Sequence, residues 1–127
     1  MLGSRGRSVT IQIVGTKGCA VTRKAVRFFK ERGITCAFVD LEERALSKGE
    51  LTNIARSVAF ADLVDREGKR YASRGLEHME YDPLEELLAD PLLLRTPIVR
   101  LGREAVVGDA QESWQRLAAA SKVDSRG

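Results

Sequence analysis

Histidine and cysteine are scarce in this chain of 127 residues: one histidine, His78, and two cysteines, Cys19 and Cys36. That set is too small for a zinc site at the usual ligand spacings, so the expectation is no metal and no bound cofactor. Two cysteines also exclude the disulfide framework of a small secreted domain. No run approaches the roughly 18 apolar residues that a membrane helix needs. The opening MLGSRGRS lacks the apolar stretch of a signal peptide. These absences make the cytoplasm the expected location, with no membrane partner. A broad excess of one charge is missing as well. The formal net charge is +3, and Arg5, Arg7, Lys122, Asp124 and Arg126 account for all of it. Residues 9–120 are neutral, so the basic balance gives little reason to expect nucleic acid as a partner.

A hydrophobic share of 43% and a charged share of 31% suit one globular domain, and a monomer is the expected state. Serine and glycine crowd the ends, which predicts tails at residues 1–7 and 121–127 around a domain of residues 8–120. SVTIQIVG alternates Val9, Ile11 and Ile13 with polar neighbours, a strand pattern. Val21, Ala25, Phe28 and Phe29 then fall on one helical stripe, with Arg23, Lys24, Arg27 and Lys30 elsewhere. Gly33 suits a left-handed helix end. ITCAFVDL reads as a second strand, apolar enough to be buried on both faces. Strand, helix and strand make a parallel βαβ unit with a right-handed crossover. Ser47 and Glu50 have capping-box spacing, and Gly68 and Gly75 signal turns. Asp82 and Pro83 open a helix that stops before Pro91. TPIVRLGREAVVG reads as a hairpin turning at Leu101-Gly102-Arg103, and AQESWQRLAAAS as a closing helix that uses Trp114 in the core. The order is β-α-β, a helical stretch, then β-β-α. The fold class is therefore α/β and thioredoxin-like: a four-stranded mixed sheet flanked by helices, with a helical insertion before the C-terminal hairpin.

GTKGCAVTRKAVRFF holds the candidate chemistry. The loop after the first strand of a βαβ unit feeds a helix N-terminus, where unpaired N–H groups and the helix dipole favour negative charge. Cys19 at that point loses its proton more readily than a free thiol. Thr22 and Arg23 fall in the first turn, within reach of the sulfur, and Lys17 adds positive charge on the loop. The alternative is that Cys19 is a small apolar residue covering the helix start; its position and basic neighbours favour the reactive thiol. Cys36, within the second strand, reads as a packed structural thiol. His78 reads as a surface residue, and Glu42-Glu43-Arg44 as a solvated face.

GCAVTRKAVRFFKERGI, YASRGL, LEELLADPLLLRTPIV and AVVGDAQESW together resemble the arsenate reductase (ArsC) and Spx family of thioredoxin-fold proteins, in family order over roughly residues 9–118. The resemblance implies that Cys19 is the active thiol, that Pro97 is a cis-proline facing it, and that Arg23 belongs to the site. It also shows departures. Family arsenate reductases carry an arginine just before the cis-proline, where this chain has Thr96, with Arg95 one step away. A second family arginine aligns with Asp65, next to Arg66, and a third with Gly108-Asp109. An oxyanion needs such donors. Thr96-Pro97 resembles instead the cis-proline element with which glutaredoxins and thioredoxins present a disulfide-linked peptide or glutathione. The expected function is a monothiol oxidoreductase linked to glutathione, a glutaredoxin or a thioredoxin. Cys19, Thr22 and Arg23 would be catalytic, and Thr96, Pro97, Lys17, Arg95 and Arg66 would bind substrate. The alternatives are an arsenate reductase proper, taking a small oxyanion, and a non-catalytic Spx-like module that binds protein partners. Spx-type proteins often use a Cys-x-x-Cys switch, which Thr22 removes here.

Overall fold

The computed structural model describes residues 10–126, with side chains through residue 121. Strand β1 (Ile11–Gly15) is central, and its side chains explain why. Ile11 and Ile13 enter one cluster with Ala25, Phe28 and Phe29 of helix α1 (Ala20–Glu31). Val14 points to the opposite face and enters a second cluster. A strand apolar on both faces is covered on both. Gly33 takes φ 71° just past the end of α1, a conformation that glycine adopts without steric cost. The chain then returns as β2 (Cys36–Asp40), parallel to β1.

Four short helices follow: α2 (Lys48–Ile54), α3 (Phe60–Leu63), α4 (Lys69–Ser73) and α5 (Pro83–Ala89). Strands β3 (Ile98–Leu101) and β4 (Glu104–Val107) form the hairpin, and α6 (Gln111–Arg126) closes the fold. The sheet order is β2-β1-β3-β4, with β1–β3 and β3–β4 antiparallel. Helices α1 and α6 cover one face; the insertion covers the other with Leu51, Ile54, Leu63, Leu76, Leu87 and Leu93. No helix among the described residues is long and apolar enough to cross a membrane.

Two expectations need correction. Strand β2 is not buried on both faces: it is an outer strand, and Ala37 and Phe38 are exposed while Val39 is buried. Apolar character records what a residue tolerates, whereas burial depends on strand order. The predicted tail at 121–127 is also shortened, because α6 runs to Arg126 and Ser121 is buried. Ala118, Ala119 and Ala120 are strong helix formers, and no glycine or proline interrupts the chain before Gly127. The predicted tail at 1–7 lies outside the described residues.

The cap of α2 yields a measurable pH effect. The Ser47 hydroxyl accepts from Glu50 N–H at 3.1 Å, and Glu50 Oε1 accepts from Ser47 N–H at 2.9 Å. Arg44 adds two hydrogen bonds to the Glu50 carboxylate, both at 3.0 Å. Chiefly because of Arg44, the carboxyl is held down at about 2. A depressed carboxyl stabilises the fold fully above its unfolded pKa of about 4.3 and loses that contribution as pH falls through the folded value. Arg44 is half exposed, which limits the effect. Glu50→Gln should cost about 0.5–1 kcal/mol at neutral pH and progressively less toward pH 2. Urea unfolding at several pH values checks this, and a cost independent of pH would contradict it.

Candidate thiol site

Between Gly15 and α1 the chain turns so that Cys19 N–H donates to Thr16 O at 3.2 Å. Cys19 takes the N-cap position of α1, with φ −84° and ψ 119°. Serine, threonine, asparagine and aspartate are preferred there because a side-chain acceptor meets the free N–H groups of the first turn. A sulfur at this position faces the same donors, and the N–H groups of Thr22 and Val21 favour its anion.

Across from the helix start, Thr96 precedes the buried Pro97 through a cis peptide bond. The Thr96 hydroxyl donates to Cys19 Sγ at 3.3 Å, and the thiol faces the Thr96 carbonyl oxygen at 3.9 Å. Partial burial pushes the Cys19 thiol up. The Thr22 and Thr96 side chains and the two backbone donors outweigh it, so the thiol lies below its ordinary value. Cys36, half-buried on β2, shows burial without such donors and is pushed up to about 11. The two thiols are therefore chemically distinct.

Thr22 is 1% exposed, and its hydroxyl has no hydrogen-bond partner among the described residues. Its effect on Cys19 is to favour the thiolate. Its packing depends on Gly15: a Cβ there would fall 2.4 Å from Thr22 Oγ1 and 2.6 Å from Cγ2. Gly15→Ala should therefore destabilise the fold by about 1–3 kcal/mol, a typical overpacking penalty. Adding Thr22→Ala removes both clashing atoms and should restore most of the loss. Urea unfolding of the single and double variants tests the contact, and additive effects would contradict it.

Other predicted site residues lie differently. Arg23 Nη1 donates to the Lys17 carbonyl at 2.8 Å. Side chains of a first turn lean back toward the helix N-terminus, and here that carries the guanidinium to the loop carbonyl, which it braces. Lys17 is exposed. Arg66 and Arg95 share a cleft of about 250 Å³ with Asp62, Asp65 and Glu67, and Cys19 does not line it. Arg95 donates to the Asp62 carbonyl at 3.1 Å, and Arg66 pairs with Asp62 at 3.7 Å. Three acids against two arginines leave this cleft unfavourable to an oxyanion. Asp109 is occupied by Lys24 at 2.9 Å.

No family model matches the sequence, and no curated protein matches it. Solved structures do. The YffB protein superposes with a TM-score of 0.77 at 19% identity, covering 86% of this chain and 99% of its own. An arsenate reductase from Vibrio cholerae gives 0.74 at 17% identity, over 85% and 97%. An arsenate reductase (ArsC) related protein from Brucella melitensis gives 0.65 at 21% identity, over 84% and 92%. The chain has the thioredoxin-like fold of ArsC proteins. At these identities the likeness carries the fold, and the chemistry rests on this chain's own residues. Within the ArsC fold, sequence reasoning located Cys19, Thr22 and Thr96. It missed the Thr96 hydroxyl as a partner of the sulfur and Gly15 as the seat of Thr22. Cys19 and Thr96 lie 77 positions apart, and no local pattern signals their contact.

Proposed function

We propose that the protein is a monothiol oxidoreductase that exchanges disulfides through Cys19, with glutathione or a glutaredoxin- or thioredoxin-type thiol as reductant. The observation that carries this reading is the Thr96 hydroxyl donating to Cys19 Sγ at 3.3 Å, in a setting that lowers the thiol. The Cys19 thiolate attacks the glutathione sulfur of a mixed disulfide. The Cys19–glutathione bond forms, the original S–S bond breaks, and the substrate thiol leaves and takes a proton. A second glutathione thiolate then attacks the Cys19-bound glutathione, releasing glutathione disulfide and regenerating the Cys19 thiolate. In net terms, one mixed disulfide and one free glutathione become the substrate thiol and glutathione disulfide. Thr96 and Pro97 would present the substrate backbone beside the sulfur.

Arsenate reduction is the weaker reading, since Arg66 and Arg95 lie in a cleft with three acids. The test is turnover of a glutathione mixed disulfide of free cysteine, coupled to glutathione reductase, beside arsenate under the same conditions. Turnover of the disulfide with little or none of arsenate is expected. Robust arsenate reduction would overturn the assignment. An intact fold that turns over neither would favour a protein-binding role instead.

A further inference from the structure

A groove of about 520 Å³ runs along the outer flank of α1, beginning beside the cysteine loop. Val26 and Phe38 line it and are 37% and 39% exposed. Phe38 pairs with Ile13 in the sheet register and so lies on the face that α1 covers. Because β2 is the outer strand, its ring extends past the helix. Val26 follows Thr22 by one helical turn and Lys30 follows Val26 by another, which places all three on one flank. Four cations rim the groove: Lys17, Arg23, Arg27 and Lys30. Among the described residues no acid lines it and none of the four makes an ion pair. Lys24 on the same helix is neutralised by Asp109, so the charge imbalance is local to this flank.

An apolar floor inside a rim of one charge sign matches a segment that carries an apolar side chain between carboxylates. The apolar side chain would displace water from Val26 and Phe38, and the carboxylates would pair with the rim. We propose that this groove docks an acidic segment of a partner protein, anchored by one aromatic or aliphatic side chain between Val26 and Phe38. A nucleic-acid backbone fits less well, because residues 9–120 are neutral overall and the floor between the cations is apolar. The groove also takes in Thr16, Lys17 and Thr22, so a docked chain would run toward Cys19. That last feature rests on the proposed thiol chemistry; the docking itself does not.

The probe is a fluorescein-labelled oligoglutamate interrupted by a single phenylalanine, titrated with the full chain by fluorescence anisotropy at low salt. Saturable binding that weakens as salt rises is expected. Arg27→Glu combined with Lys30→Glu should weaken it by about tenfold or more, and Phe38→Ser should weaken it severalfold. Melting curves of these surface variants should match the wild type; if the charge reversal perturbs folding, Arg27→Gln with Lys30→Gln gives the same readout with a smaller change. No saturable binding by the wild type would overturn the proposal. So would undiminished binding by the charge variants, equal affinity for a probe with serine in place of phenylalanine, or tighter binding of oligothymidine. Cys19 alkylation measured on the same samples separates the two readings. An inert Cys19 with intact peptide binding sinks the oxidoreductase reading alone, and a reactive Cys19 without peptide binding sinks the docking alone.

Discussion

Cys19→Ser should leave the chain folded and reduce turnover of a glutathione mixed disulfide by on the order of a thousandfold or more. Disulfide exchange needs a thiolate, and a serine hydroxyl does not ionise near neutral pH even beside the same donors. The fold should tolerate the change because Cys19 is only half-buried and the serine oxygen can accept from first-turn N–H groups as an ordinary N-cap. Cys36→Ser is the matching control. Its thiol is pushed up to about 11 by burial, and turnover should persist without it. Substantial turnover by Cys19→Ser, or its loss in Cys36→Ser with the fold intact, would place the chemistry elsewhere.

Trp114→Ala should destabilise the protein by about 3–5 kcal/mol, a large part of the 5–15 kcal/mol that holds a typical domain together. Trp114 is fully buried and stands between α6 and α1, its ring 5.5 Å from Phe28 and 6.5 Å from Phe29. Removing the indole leaves a cavity that two aromatic neighbours on one helix cannot readily fill. Trp114→Phe should cost much less. It keeps an aromatic surface there, and it removes a buried Nε1–H that has no hydrogen-bond partner among the described residues. Urea unfolding monitored by far-UV circular dichroism distinguishes the two. Equal losses would show that the indole N–H is satisfied or that the cavity term is small.

Much of the fold could be read from local signals. The alternation through Ile11 and Ile13, the helical stripe of Ala25, Phe28 and Phe29, and Gly33 at φ 71° each specify structure within a few residues. So do the Ser47–Glu50 box and the turn at Gly102, where Leu101 pairs with Glu104. Cys19 was legible for the same reason, since a residue between a strand and an amphipathic helix sits at a helix start whatever the rest of the fold does. The features that escaped depend on distant parts of the chain. The exposure of Phe38 follows from the position of β2 outside β1, which no residue in β2 encodes. The Thr96 hydroxyl reaches Cys19, and Thr22 occupies the space above Gly15, only once the sheet is assembled. Arg23 lies in the first turn as its spacing indicates, and the loop carbonyl of Lys17 that accepts from its guanidinium is set by the turn before the helix.

The central claim is that Cys19 is an activated thiol, and its alkylation rate against pH tests that most directly. Iodoacetamide modification of Cys19 and Cys36 is followed separately by mass spectrometry from mildly acidic to alkaline pH. Cys19 should react first, with its inflection below that of a free cysteine, while Cys36 responds only as pH approaches about 11. Thr96→Val keeps the side-chain shape, removes the hydroxyl that donates to Sγ, and should move the Cys19 inflection back toward the ordinary value. Equal pH profiles for the two cysteines, or a Cys19 that stays inert until strongly alkaline pH, would contradict the account.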